Sequence, residues 1–217
     1  MSCLRILSKK NSDYKSNGGS LSTIDNNMTK IFDCHDNTKH SSILFLYNQK
    51  FDLLFESGLR AMRDKYYREA ISSFATSLER FYEYCIKVLL FNNQDAEIEK
   101  SWKQISQQSE RQLGAFIVLF LRNTQKTPVL LSNKMVELRN EITHKGYYPT
   151  EDETYAFSNS VLQIIDKNFN LIAEKSSSNI ENYNSKYFND LKSFAHKKIK
   201  EHSYYKKGIK VEPEFMF

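Results

Sequence analysis

Apolar residues that recur every three or four positions run through most of this 217-residue chain, and they constrain its fold more than any other feature. This spacing puts apolar side chains on one side of an α-helix, whereas a half-buried strand requires strict alternation. With only 6 Gly and 3 Pro to interrupt the periodic segments, the sequence predicts an all-α protein. We expect an antiparallel helical bundle of about four to six helices. The clearest segment carries Ile71, Phe74, Leu78, Tyr82, Cys85 and Leu89 on one face.

The polar content of the sequence changes along the chain and predicts three parts. Residues 1–45 are rich in Ser, Asn, Asp and Lys and have few apolar residues to bury. We therefore expect a loosely ordered N-terminal arm, in which short pieces such as Leu4 to Leu7 can pair as strands. Residues 46–175 carry the helical periodicity and predict the bundle. Residues 176–217 begin with a Ser-rich linker and predict a C-terminal helix and a basic tail.

Helix boundaries follow from the periodic segments together with their capping and breaking residues. The third helix is expected to kink or split near Gly114, and the last is expected to bury Tyr183, Tyr187, Leu191 and Phe194. The predicted helices extend from about Leu46 to Asp64, Tyr66 to Phe91, Asp95 to Arg122, Pro128 to His144, Thr150 to Glu174 and Ile180 to His202.

Several classes of protein are disfavoured by the composition. The 3 cysteines are odd in number and show no C-x-x-C spacing, so we expect neither a disulfide framework nor a zinc ribbon. Cys34, His35 and His40 are too scattered to predict a metal site. The longest apolar run, Ala115 to Leu121, is too short to cross a bilayer. A soluble protein of the reducing cytoplasm, with no membrane segment and no cofactor, is expected.

The stretch from Val136 to Gly146 brings an Arg, an Asn and a His together within about one and a half helical turns. Asn140 and His144 share a helix face, whereas Arg139 and His144 lie about 140° apart on a continuing helix. Arg139 and His144 can therefore converge only if the helix ends near His144, which Gly146 favours. The same helix is expected to begin with Thr127 as N-cap and Pro128 as first residue. It presents an apolar seam of Leu131, Met135, Leu138 and Ile142.

The spacing Arg139-Asn140-x3-His144 resembles the R-x4-6-H motif of the HEPN family, many of whose members are metal-independent ribonucleases. The resemblance covers roughly Leu46 to Glu174, where long paired helices precede and follow the motif helix. Asn140 matches the polar residue that follows the Arg in the family. Gly146 and Pro149 loosely match the small residue and the Pro that follow the His.

One departure from the family pattern concerns regulation. Toxins of this family that are controlled by a partner nucleotidyltransferase carry a Tyr two residues after the His. This chain has Gly146 at that position, with Tyr147 and Tyr148 one and two places later. We therefore do not expect modification by such a partner.

The resemblance implies a cytoplasmic endoribonuclease in which the RNA 2′-hydroxyl attacks the adjacent phosphate without a metal ion. His144 would act as general base or acid, because imidazole exchanges protons near neutral pH. Arg139 would stabilise charge on the phosphate, and Asn140 would orient the substrate or His144. The resemblance further implies a toxin-like or anti-phage role, with an antitoxin or regulatory protein as partner. The alternative is a non-catalytic helical module that binds nucleotide, RNA or a protein through the same surface.

Four further residues are expected to support the motif. Glu79 lies on the flank of the seam of the second helix, where it can meet Arg139, although a solvated glutamate fits the same position. The loop from His144 to Thr150 is short, and it is expected to hold Lys145, Tyr147 and Tyr148 in one exposed region.

The C-terminal part carries most of the basic character of the chain. The net charge of +5 and the pI near 8.9 permit binding to a polyanion. From Lys192 to Lys210 there are seven Lys and one acid, with aromatic residues between them. This pattern suits phosphate neutralisation and base stacking on RNA, although a solvated basic tail explains it more simply. The candidate RNA-binding residues are Lys192, Lys197, Lys198, Lys200, Lys206 and Lys207.

A two-fold homodimer is expected from the chemistry. Cleavage by the 2′-hydroxyl needs one proton removed and another delivered on the opposite side of the phosphate, yet the motif supplies one histidine. Two motif helices paired around one cleft would supply two copies of His144 and Arg139. Asn140 and the Tyr147-Tyr148 loop would then lie near the two-fold axis.

Overall fold

A computed structural model describes residues 29–33, 41–46, 48–91, 96–202 and 211–213 of the chain. Within these residues the protein is an all-α helical bundle with a small sheet, as the periodicity predicts. The six described helices are α1 Lys50–Arg63, α2 Tyr67–Leu89, α3 Ala96–Ile105, α4 Ser109–Thr124, α5 Asn133–Lys145 and α6 Glu151–Glu201. The three described strands are β1 Thr29–Asp33, β2 Ser41–Phe45 and β3 Val211–Pro213. No helix in the described ranges is long and apolar enough to cross a membrane.

The chain divides into two compact units, of which the larger comprises residues 48–184. Its central helix is α2, which packs against α1, α4 and α5. Tyr82 stacks on Phe116 with ring centroids 4.6 Å apart, and Phe81 meets the same ring edge-on. Gly58 lets α1 approach α2 closely, because a Cβ there would lie 2.6 Å from the ring of Phe74. Leu78 and Cys85 are also buried in this core, so the predicted seam of α2 is confirmed.

The smaller unit contains residues 1–47 and 185–217. In its described part, β1 pairs antiparallel with β2, and β2 pairs parallel with β3. Ile43 of β2 is fully buried against Leu191, Ala195 and Ile199 of the C-terminal half of α6. The N-terminal and C-terminal parts of the chain therefore share one unit. Leu4 to Leu7, Cys34, His35, His40, Lys206 and Lys207 lie outside the described residues.

The motif helix begins later than the sequence predicts. Residues 127–132 are not helical, so the prediction that Thr127 caps a helix starting at Pro128 is wrong. The cause is a long-range contact: the buried Asn168 amide accepts from Val129 N at 2.9 Å and donates to Val129 O at 2.8 Å. These bonds hold Val129 outside the helix, and Ser132 becomes the N-cap by accepting from Met135 N.

Two further boundaries differ from the prediction. The predicted third helix is split at residues 106–108, whereas Gly114 lies inside α4. Two side chains of α4 form hydrogen bonds across this break: Gln112 Nε2 donates to Ser106 O, and Arg111 Nη1 donates to Gln104 O. The linker predicted at residues 176–179 is replaced by a kink at Ser176 within α6, where φ is −142° and ψ is 37°.

The buried face of the last helical segment also differs from the prediction. Leu191 is buried as expected, but Phe194 is 37% exposed. Ala195 and Ile199 are buried instead, because a spacing of four residues continues the face of Leu191.

Candidate functional site

The C-terminal end of α5 is fixed by a local sequence signal. Gly146 adopts the left-handed conformation with φ of 70°, and Tyr147 N donates to Glu141 O at 3.2 Å. This is the pattern in which a glycine just past the helix satisfies the last free carbonyls. Ile142 is 1% exposed, and Met135 and Leu138 pack beside it against the core. The predicted seam therefore anchors α5 and leaves its polar face outside.

The Arg139 side chain is held on two sides. Its Nε and Nη2 donate to Asn140 Oδ1 at 3.3 Å and 3.0 Å. Its Nη1 lies 3.6 Å from Oε1 of Glu79 on α2, so the contact expected from the flank position of Glu79 is present. Both side chains of this ion pair remain about one third exposed. A guanidinium has five N–H groups, so Arg139 can still bind an anion from the solvent side.

His144 lies one helical turn after Asn140, in the last turn of α5. The helix continues through Lys145, so the side chains of Arg139 and His144 leave it in directions about 140° apart. His144 is exposed and makes no hydrogen bond or ion pair within the described ranges. The structure therefore groups Arg139, Asn140 and Glu79, while the imidazole of His144 faces solvent and leaves the helix in a different direction from Arg139.

The loop after α5 carries the three other expected supporting residues. Lys145 Nζ lies 3.5 Å from Glu141 Oε1 of the same helix. Tyr147 donates its hydroxyl to Glu153 at 3.2 Å, and this bond raises the pKa of the tyrosine. Tyr148 is 77% exposed. All three side chains are at the surface, as the short loop predicts.

Glu153 secures the far end of this loop. Its Oε2 accepts from Thr150 N at 2.8 Å, and Glu153 N donates back to Thr150 Oγ1 at 3.2 Å. This reciprocal pair is the predicted capping box, which is confirmed. The bond from Thr150 N is the main cause that lowers the pKa of Glu153.

Two contacts across the start of α2 were not predicted. The Arg68 guanidinium carbon lies 5.9 Å from the centre of the Tyr148 ring, and Tyr67 donates its hydroxyl to Glu151 at 3.0 Å. Both contacts join residues far apart in sequence, and no local pattern marks them. The bond from Tyr67 gives the Glu151 carboxylate, which lies near the motif in sequence, a hydrogen-bond partner within the protein.

The described part of the basic tail carries three exposed lysines. Lys192, Lys197 and Lys200 are exposed on α6. Lys198 is half-buried, donates to Thr29 Oγ1 at 2.8 Å, and lies 5.8 Å from the centre of the exposed Phe194 ring. Lys198 therefore contributes a side-chain contact between the C-terminal half of α6 and β1.

No protein-family model matches this sequence, no curated protein matches it, and no solved structure matches it. The resemblance to the HEPN family thus rests on the motif and the order of helices described above. The chemistry of Arg139, Asn140 and His144 has to be judged from their own geometry.

Proposed function

We propose that this chain is a metal-independent endoribonuclease of HEPN type. One observation carries the proposal: Asn140 and Glu79 hold the Arg139 guanidinium on the helix whose last turn carries the exposed imidazole of His144. Phosphodiester cleavage uses both kinds of group, a cation held in place and a side chain that can transfer protons. The proposed location is the cytoplasm.

The proposed reaction forms a bond between the 2′-oxygen of RNA and the adjacent phosphorus and breaks the bond from phosphorus to the 5′-oxygen. His144 removes the proton of the 2′-hydroxyl, or delivers a proton to the leaving oxygen. Arg139 binds the phosphate oxygens, on which negative charge increases in the transition state. Asn140 acts here as a positioning residue, because its Oδ1 already accepts two bonds from Arg139.

In this proposal, His144 of a second copy of the chain performs the second proton transfer. A two-fold homodimer gives two His144 side chains, one for each side of the phosphate. Lys192, Lys197 and Lys200 supply positive charge that attracts RNA. A toxin-like or anti-phage role, restrained by an antitoxin or regulatory protein, is part of the proposal and rests on the family resemblance alone.

A second candidate is a non-catalytic module that binds nucleotide, RNA or protein through the same surface. The observation that favours it is the divergence of Arg139 and His144 along α5, since a phosphate bound by one is not automatically within reach of the other. Binding without cleavage needs no such convergence.

Incubation of the purified protein with total RNA in EDTA separates the two candidates. We expect cleavage that leaves 2′,3′-cyclic phosphate ends, and we expect Arg139→Ala and His144→Ala each to reduce its rate by at least about a hundredfold. Glu137→Ala is the matched control, because Glu137 is exposed on the same helix. Circular dichroism should show that all three variants keep the helical content. Binding of RNA with no cleavage by the wild type would support the module.

A further inference from the structure

One row of side chains on α4 is exposed along its whole length. Glu110, Gly114, Val118 and Arg122 are spaced four apart, so they lie above one another on the helix surface. Val118 is 65% exposed, and the neighbouring Leu121 is 51% exposed. These two apolar side chains lie between the charged residues Glu110 and Arg122, and no described residue covers them.

No described residue requires a glycine at position 114. It lies inside α4, where glycine destabilises a helix relative to alanine. A Cβ at this position would meet nothing within 4 Å. Unlike Gly58, which makes room for Phe74, Gly114 makes room for nothing in the described structure. A glycine on an exposed helix row is useful when a second backbone or side chain approaches from outside.

The row is complementary to itself. The commonest helix crossing packs rows of residues four apart against each other. If two α4 helices cross in this way about a two-fold axis between positions 114 and 118, Val118 of each copy meets Gly114 of the other. The same operation brings Glu110 of each copy next to Arg122 of the other. Neither charged residue has a hydrogen bond or ion pair within the described ranges.

We propose that two copies of this chain associate through the α4 row, with Val118 of one copy seated over Gly114 of the second. The two Glu110–Arg122 pairs then fix the register and the antiparallel orientation. A second copy fits this surface better than an unrelated partner. The gap at Gly114 and the protruding Val118 lie at symmetric positions of the helix, and so do the negative Glu110 and the positive Arg122.

This inference does not rest on the proposed ribonuclease activity. It also assigns the contact to a surface other than the exposed face of α5, which carries Asn133, Lys134, Glu137 and Lys145 and is mainly charged. Both α4 and α5 pack against α2. Sedimentation measures the α4 contact and RNA cleavage measures the activity, so failure of one proposal is visible without failure of the other.

Sedimentation velocity of the full chain over a range of concentrations tests the contact. We expect the wild type to form dimers and Val118→Asp to be monomeric, with the dissociation constant raised at least about a hundredfold. Leu162→Asp is the matched control, because Leu162 is 50% exposed on α6. This variant should remain dimeric. A wild type that stays monomeric at about 100 µM, or a Val118→Asp variant that dimerises normally, would overturn the proposal.

A charge exchange tests the orientation of the two helices. Arg122→Glu and Glu110→Arg should each weaken the dimer, because like charges then meet across the two-fold axis. The double variant should restore most of the affinity, because opposite charges face each other again. Failure of the double variant to restore dimerisation, while both single variants weaken it, would contradict the antiparallel register. Circular dichroism of the single variants checks that α4 remains folded.

Discussion

Arg139 of α5 and Glu79 of α2 form an ion pair across the helix packing, with Nη1 and Oε1 3.6 Å apart. Glu79 contacts the guanidinium on one side while Asn140 Oδ1 accepts bonds from two of its other nitrogens. The arginine is thereby tied both to its own helix and to the central helix of the bundle. This arrangement orients the cation while leaving about one third of its side chain exposed.

Replacement of Glu79 by Gln tests whether this orientation matters for activity. Because the pair is partly solvated, we expect the free energy of unfolding to fall by less than about 1 kcal/mol. RNA cleavage should fall about tenfold, since Arg139 keeps its charge but loses one of its two fixed contacts. Denaturant unfolding and initial rates of cleavage measure the two effects. Glu56→Gln, which breaks an exposed pair with Arg60, is the control and should change only stability.

The outcome for Glu79→Gln distinguishes positioning from simple stabilisation. A lower kcat with unchanged RNA affinity identifies Glu79 as a positioning residue. Unchanged kcat together with reduced stability would show that the contact with Arg139 serves the fold alone.

Glu153→Gln should make the protein less stable in a pH-dependent way. The folded-state pKa of Glu153 is lowered, so its carboxylate contributes stability above the ordinary pKa of glutamate, and this contribution is lost as the pH falls through the lowered value. Gln can still complete the capping box, so we expect a loss of about 0.5 kcal/mol at pH 7. The difference from wild type should be smaller at pH 3 than at pH 7, because acid protonates the carboxylate.

Unfolding in denaturant at both pH values measures this difference. Asp152→Asn is the control, because Asp152 is exposed in the first turn of α6 but takes no part in the capping box. A loss for Glu153→Gln that is the same at both pH values would show that the charge of Glu153 is not its cause.

Signals that lie close together in sequence predicted the local structure well. Gly146 ends α5, and Thr150 with Glu153 begins α6, because these residues satisfy backbone groups within their own turn. The start of α5 was predicted wrongly for the opposite reason. Asn168 competes for the backbone of Val129 from a distant helix, and no pattern around Pro128 reveals such a partner.

The same distinction explains which parts of the site were predictable. The pairing of Glu79 with Arg139 followed from a carboxylate on the flank of a seam, since that position lies at a helix crossing. The packing of Arg68 over Tyr148 depends on where two separate elements meet, so no local sequence pattern predicts it. Ala195 was missed as a core residue because a small side chain adds little to an apolar pattern.

The basic surface of α6 is best tested by substitution. Truncation from residue 193 onward would also remove Ala195 and Ile199, which are buried against the sheet. Substitution of Lys192, Lys197 and Lys200 by Gln should instead weaken RNA binding and lower the slope of log affinity against log salt by up to about 2. Lys198 is left unchanged, because it contacts Thr29.

Filter binding at several salt concentrations measures this slope. Replacement of three exposed lysines in the larger unit, Lys65, Lys103 and Lys134, by Gln changes the net charge equally and serves as control. An equal effect of both triple variants would show that overall charge, not the surface of α6, governs binding.

Gly114→Ala should change stability and dimerisation in opposite directions. The new methyl group meets no described residue of its own chain, so the monomer should gain about 0.5 to 1 kcal/mol from the higher helix propensity. The dimer should weaken, because the methyl group occupies the space proposed for Val118 of the second copy. Thermal unfolding at low concentration and sedimentation at high concentration separate the two effects. A variant that is both more stable and more strongly dimeric would contradict a close approach at Gly114.

Val118→Asp finally connects assembly with catalysis. The proposed mechanism needs one proton carrier on each side of the phosphate, and each copy contributes a single motif histidine, His144. If the α4 contact also brings two His144 side chains to one phosphate, the monomeric variant will bind RNA but cleave it at least about a hundredfold more slowly than wild type, in an assay at the same protein concentration. Leu162→Asp should cleave normally. A fully active Val118→Asp monomer would show that one His144 suffices and that the other proton comes from solvent or from another group of the same chain. The α4 contact would then be a matter of assembly alone.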